Sequence, residues 1–193
     1  WYSLVEDYVF MAAVDCTGHG VPGALMSMIG NSFLNQIVNE KRVFDPAKIL
    51  EYLNIHVRTA LKQDREENPS RDGMDICLVR LGKGSAVFSG AKRTLYVVKN
   101  GELTTIKGDK DSIGGRQKET IRKYTNYEIT INPSSRTSLY LTTDGFADQP
   151  NPEREKIGSK GLLNIIQKYS HLTGLEQREK FQLELEQHRN GEP

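Results

Sequence analysis

No apolar stretch of this chain approaches the ~20 residues that a membrane-spanning helix needs, and no signal-peptide pattern is visible. Direct membrane contact is therefore not expected, and a cytoplasmic setting is. Cysteine is nearly absent. Cys16 and Cys77 are the only two, and their neighbours point to buried or turn positions. That argues against a disulfide framework and fits a reducing compartment. An excess of one charge is lacking too: 26 basic against 25 acidic residues leave a net charge of +1. Nucleic-acid binding needs a clustered basic face, so no nucleic-acid partner is expected. Internal repeats and low-complexity tracts are missing as well. What is there, 193 residues with 37% hydrophobic and 26% charged, suits one globular domain over 1–193 with a substantial core. Both ends read as trimmed: Trp1-Tyr2-Ser3 opens as if midway into a strand, and Asn190-Gly191-Glu192-Pro193 is a turn that leads nowhere.

The stretch that organises the rest is Val14-Asp15-Cys16-Thr17-Gly18-His19-Gly20-Val21-Pro22-Gly23. An apolar run over Tyr8 to Val14 reads as a buried strand that delivers Asp15 to a Gly-rich turn. A helix over Val21 to Val38 follows, with apolar residues at Val21, Leu25, Met28, Ile29, Phe33 and Ile37. Pro22 is tolerated in its first turn, where the missing amide has no partner to lose. Asp45 is a natural cap for a second helix beginning at Pro46, with Ile49, Leu53, Val57 and Leu61 on one stripe. The two helices should pack side by side on a sheet. Met11, Met26 and Met28 read as core filler.

Lys62 to Asp72 is charged and contains a proline, so it reads as a loop. The period then changes to that of strands. Met74–Leu81, Ser85–Ser89, Leu95–Lys99 and Glu102–Lys107 are separated by Gly82-Lys83-Gly84, Gly90-Ala91 and Asn100-Gly101. Asn-Gly is a strong hairpin signal, and the four segments read as an antiparallel meander. A Gly-rich loop spans Gly108 to Arg116, strands follow at Tyr127–Ile131 and Thr137–Thr143, and helices at Gly161–Tyr169 and Leu175–His188. Helices early, strands in the middle and helices late predict an α+β fold of two stacked, mostly antiparallel sheets with helices outside.

Two strand-like segments end in an aspartate beside or near glycine, at Asp15 and at Asp144-Gly145. Either residue alone also fits an ordinary turn aspartate bonded to local backbone. Together they can put two carboxylates on one sheet edge, where Mg²⁺ or Mn²⁺ takes oxygen ligands. His19, between two glycines, is either an accessible general acid or a turn histidine bonded to a carbonyl. Thr17, Gly18 and Gly20 precede a helix whose first amides can receive an anion. Cys16 and His19 form a Cys-x-x-His pair, yet neither Cys77 nor His56 supplies the second pair that zinc needs. Asp72-Gly73-Met74-Asp75 is a third acidic turn, with a supporting role at the metals as the sharper reading. Lys92-Arg93 could face an anionic substrate or lie in a solvated hairpin loop.

The run Ala13-Val14-Asp15-Cys16-Thr17-Gly18-His19-Gly20-Val21-Pro22-Gly23-Ala24-Leu25-Met26 resembles the Asp-x-x-Gly-His-Gly-x-x-(Ala/Gly)-Ala-Leu motif of bacterial PPM-type (PP2C-like) serine/threonine phosphatases, the SpoIIE branch. Asp72 to Asp75, Phe88-Ser89-Gly90-Ala91, Gly108 to Gly115 and Leu141 to Asp148 look like the same family in the same order. The resemblance implies an α-β-β-α sandwich with a two-metal Mn²⁺ or Mg²⁺ centre. Asp15 would bridge the metals, the Cys16 carbonyl would bind one, and Asp144 would bind the other. His19 would be the general acid. The implied reaction is attack of metal-activated water on phosphoserine or phosphothreonine, with no phosphoenzyme. The implied substrate is a phosphorylated STAS-domain anti-anti-sigma protein in partner switching. An upstream sensory domain is implied as well, so that this domain would be the cytoplasmic output of a larger, membrane-bound or free sensor. The family's Gly-Gly-Asp-(Phe/Tyr) segment and its late Asp-Asp pair, both of which bring metal ligands, lie outside this sequence.

Two rivals stand beside this reading. One is a non-catalytic phosphatase-like module that binds a phosphoprotein or partner. The other is an ordinary α+β interaction domain whose aspartates are turns. A homodimer is compatible with each.

Overall fold

The computed structural model describes residues 1–64, 70–82, 84–117, 121–132 and 134–190. The middle of the expected 62–72 loop, Lys83 and the expected terminal turn past Asn190 lie outside the described residues. Strand β1 (Tyr2–Val5) turns at Glu6-Asp7 into β2 (Tyr8–Cys16), so the chain opens with a hairpin and the strand expected over Tyr8 to Val14 runs on through Asp15 to Cys16. Helix α1 (Gly20–Asn35) follows and runs on as a π-helical turn, Gln36–Glu40. Helix α2 (Pro46–Ala60) begins where its cap predicts: the Asp45 carboxylate accepts from the Lys48 amide at 2.9 Å.

Strands β3 (Gly73–Gly82), β4 (Ser85–Ala91), β5 (Thr94–Lys99) and β6 (Glu102–Lys107) fall where the period changes. They are not one meander. The first sheet has the order β1-β2-β3-β4-β8, with β8 at Tyr127–Thr130 and the two-residue β7 (Ile113–Gly114) also paired to β3. The second has the order β6-β5-β9, with β9 at Thr137–Leu141. Every pairing of these strands is antiparallel. The chain therefore leaves one sheet at Ala91 and enters the other at Thr94. Alternating patterns report a strand's two faces, and both sheets offer apolar faces, so the pattern alone does not say where a hairpin ends and a crossing begins. Two glycines make the crossing tight. A Cβ on Gly90 would lie 2.6 Å from the Arg93 carbonyl oxygen, and one on Gly108 would lie 2.5 Å from the Gly90 oxygen. Backbone bonds Lys92 N to Asp109 O (2.7 Å), Asp109 N to Gly90 O (2.8 Å) and Gly108 N to Arg93 O (3.1 Å) fasten it.

Three apolar layers separate four structural layers. Helices α1 and α2 cover the first sheet through Met26, Leu34, Ile49, Leu50, Leu53 and Val57, against Phe10, Met74, Ile76 and Leu78. Between the sheets lie Cys77, Val79, Phe88, Leu95 and Val97, with Leu139 and Leu141 against them. Outside the second sheet, Val98 packs on Leu162 and Ile166 of α4 (Gly158–Tyr169). Helix α5 (Gly174–His188) starts at a capping box between Thr173 and Glu176 and lays Phe181 against Tyr140 and Tyr169. This is the expected α-β-β-α sandwich.

One face of α1 departs from expectation. Val21, Leu25 and Met28 are 73%, 53% and 68% exposed, so Met28 is not core filler, while Met26, Gly30, Leu34 and Ile37 are buried. Gly30 explains the rotation. A Cβ there would sit 3.0 Å from the Met74 sulfur, so the glycine turns inward to let the helix approach β3.

Leu53 is fully buried in the layer beneath the helices. Leu53→Asp should unfold the protein, because a buried unpaired carboxylate costs on the order of several kcal/mol. Leu53→Ala should instead fold with a loss of about 2–5 kcal/mol, read by chemical denaturation followed with circular dichroism.

Candidate active site

Side chains alternate along strands, and this parity places the site. On β3, Met74, Ile76 and Leu78 face the helices, whereas Cys77 and Val79 face the second sheet. Asp75 shares the parity of Cys77. On β2, Phe10 and Ala12 face the helices and Ala13 the second sheet, so Asp15 also points between the sheets. The register confirms it, for Asp15 and Asp75 stand directly opposite each other. On β5, Leu95 and Val97 face inward, and Arg93, two residues earlier, arrives on the same side. Leaving β9, Asp144 reaches the same end and opens the one-turn helix α3 (Gly145–Asp148).

These four side chains meet. Arg93 Nη2 is hydrogen-bonded to Asp15 Oδ2, lies 3.0 Å from Asp144 Oδ2 and 3.6 Å from Asp75 Oδ2. The Arg93 side chain is only 14% exposed, and its Nε–H is buried without a partner. Lys92-Arg93 is thus no solvated hairpin loop at its arginine: the guanidinium is the counter-ion of three carboxylates. Burial holds the Asp15 carboxyl above the usual carboxylate range, with Arg93 pulling against it and Asp144 and Asp75 adding to the rise. Asp144, with 57% of its side chain exposed, is held below that range by its hydrogen bond from Arg93.

The end of this crevice opens into a cleft of about 730 Å³, lined by Asp15, Cys16, Thr17, Asp75, Arg93 and Asp144 on one side. The Gly-rich loop forms the other wall and contributes Lys110, Ser112 and Arg116. Buried groups fix that wall. Arg122, 6% exposed, donates to the carbonyls of Ser112 (2.6 Å), Gly114 (3.4 Å) and Arg116 (3.2 Å). Asn54 and Gln63 accept from the amides of Gly114 and Gly115, each at 2.9 Å, and Arg58 donates to the Gly115 carbonyl. Ser112 Oγ in turn donates to Asp75 Oδ1 at 2.6 Å. Below, Thr17 locks the turn after β2 to β3, exchanging bonds of 3.0 Å with the backbone of Gly73 and donating to Asp72 at 3.3 Å.

The structure therefore brings together Asp15, Cys16 and Asp144. His19 is not among the residues lining the cleft. It precedes α1 with extended backbone, exposed, and makes no capping bond. Asp75 and Arg93 are the residues that the sequence undervalued. Their signal was parity with Cys77 and Leu95, usable only once both sheets are known. Among the described residues no group of three or more His, Cys, Asp or Glu side chains stands ready as a metal cage.

Gly73 carries a testable consequence. A Cβ there would lie 2.1 Å from the Ile113 carbonyl oxygen, a backbone atom that has no easy retreat. Gly73→Ala should cost about 1–3 kcal/mol and loosen the wall, so that limited trypsin digestion cuts at Lys110 or Arg116 earlier than in the parent.

The family model for Stage II sporulation protein E (SpoIIE) matches residues 6–193. No curated protein sequence matches the chain. Among solved structures, the chain is similar along its whole length to the SiaA-PP2C domain of Pseudomonas aeruginosa, with a TM-score of 0.85, 29% identity and 74% of that chain covered. The PP2C phosphatase domain of SpoIIE from Bacillus subtilis gives a TM-score of 0.69 at 16% identity, over 100% of this chain and 54% of that one. The catalytic domain of the serine/threonine phosphatase PstP, solved in complex with 2 manganese ions, gives 0.60 at 12% identity, over 99% and 84%. The last two speak to the fold alone. Because the family model spans nearly every residue, the chain belongs to the SpoIIE family and is a PP2C-type phosphatase domain.

Proposed function

We propose that the domain, over 1–193, is a metal-dependent phosphatase that removes phosphate from phosphoserine or phosphothreonine on a bacterial signalling protein. The observation that carries the reading is the convergence of Asp15, Asp75 and Asp144 at one end of the inter-sheet space, beside a cleft open to solvent. Their oxygens, with the Cys16 carbonyl, are the hard donors that Mg²⁺ and Mn²⁺ prefer. The donor set fits such an ion chemically, and the manganese bound by PstP agrees with it. Asp15, Asp144 and the Cys16 carbonyl are the proposed ligands, with Asp75 beside them. When bound, such a cation neutralises charge on a transferring phosphoryl group and makes a water nucleophilic near neutral pH.

The chain's own residues supply the rest. Arg71, Lys92, Lys110 and Arg116 line the cleft and favour an anionic substrate there. His19 is the proposed proton donor to the leaving serine or threonine oxygen, a role that needs the Thr17–Gly20 turn to carry the imidazole to the cleft. Family membership supports a phosphorylated STAS-domain protein as substrate, and a place as the cytoplasmic output of a longer sensor.

A second reading, a non-catalytic module that binds a phosphoprotein, draws on one observation: a guanidinium already sits between the carboxylates and offsets part of their charge. Hydrolysis of an aryl phosphate with and without Mn²⁺ separates the two. Activity that requires Mn²⁺ and falls at least about 100-fold in Asp144→Asn is the expected result, at the scale of a lost electrostatic stabiliser. Silence of the full-length protein on both aryl phosphate and phosphopeptide would leave the binding module standing. His19→Gln should slow phosphoserine peptides by about 10²-fold or more and aryl phosphates much less, since a good leaving group needs no proton. Equal loss on both substrates would remove His19 from that role.

A further inference from the structure

The contacts of Arg93 differ from those of buried Arg122. Arg122 spreads its donors over three backbone carbonyls, with the Asp111 carboxylate at 4.0 Å, and holds a loop. Arg93 aims a single nitrogen, Nη2, at three carboxylates and leaves its buried Nε–H unpaired. An arginine kept for architecture is expected to have its buried donors met. This one is held by charge.

Its position matters more than its bonds. Nη2 is bonded to Asp15 Oδ2 and sits 3.0 Å from Asp144 Oδ2, so it fills the space between the two oxygens. A Mg²⁺ or Mn²⁺ ion on those oxygens would need about the same space, at roughly 2.0–2.6 Å from each ligand atom for hard cations. Guanidinium and metal cannot both hold that pair. The Arg93 backbone is pinned by Gly108 N at 3.1 Å, and the neighbouring Lys92 amide by Asp109 O at 2.7 Å, so any exchange belongs to the side chain alone. It already lines the cleft into which it would swing.

We propose that Arg93 is a built-in cation that competes with divalent metal for Asp15 and Asp144. It closes the site by offsetting part of the carboxylates' charge, and metal loading displaces it. This positioning role rests on the metal-dependent reading above. It makes metal affinity a property of an arginine as well as of the ligands, and it lets the carboxylates assemble before any metal arrives.

The experiment is calorimetric titration of Mn²⁺ into the parent and into Arg93→Gln, with melting temperatures recorded with and without metal. The glutamine variant should bind Mn²⁺ at least about tenfold more tightly. It should also melt lower than the parent without metal and gain more from adding it. Unchanged or weaker affinity in a folded Arg93→Gln overturns the proposal, as does absence of binding in both proteins. If the variant does not fold, the parent decides through nitrogen-15 spectra of its arginine side chains during Mg²⁺ titration. The Arg93 Nε–H signal should shift as Mg²⁺ saturates, and a signal that stays fixed at saturation sinks the idea. Mn²⁺-dependent hydrolysis by the parent alongside unchanged affinity in the variant would reject the competition and leave the phosphatase reading intact.

Discussion

Three carboxylates at one end of a two-sheet sandwich repel one another, and the surroundings are arranged around the cation that they demand. Asp15 and Asp75 are forced together by strand register, and Asp144 joins them from the other sheet. Like charges this close are tolerated only beside a positive partner, and more so when partly buried. That partner is Arg93. The opposite displacement of the Asp15 and Asp144 carboxyls reflects how unequally the two are shielded from water while sharing one guanidinium.

Arg93 reaches this point because of a backbone crossing that glycine permits. Gly90 and Gly108 lie so close that neither has room for a side chain, and the strands on either side belong to different sheets. The crossing turns a potential hairpin into the link between layers, and it sets the arginine at the mouth of the space between them. Gly73 does the same for the opposite wall, where the Ile113–Gly114 strand lies against β3. Buried Arg122, Asn54 and Gln63 hold that wall from behind through its backbone. The cleft therefore has a stiff rim and a centre governed by charge.

The regular elements were readable because their signals are local. Asp45-Pro46 starts a helix through a bond to an amide three residues on, and Ile49, Leu53 and Val57 share a face by simple periodicity. Asp15 and Asp144 stand out for the same kind of reason: each lies at or just past the end of a strand, beside a turn. Strands β3 to β6 do not form one meander, because adjacency in sequence is not adjacency in one sheet. Met28 faces outward because helical spacing admits more than one inward face, and Gly30, with no side chain, decides between them.

By itself, then, the sequence determined the α+β class, the strand-end aspartates and the motifs that mark the SpoIIE family, all of them carried by short stretches of neighbouring residues. Tertiary structure alone decided that Asp75 and Arg93 belong to the site, and that His19 stands apart from the cleft lining. The physical reason is distance along the chain. Asp15 and Asp75 sit on paired strands of one sheet, while Arg93 and Asp144 flank strands of the other, and only register and side-chain parity across both sheets bring their charges within reach of one another.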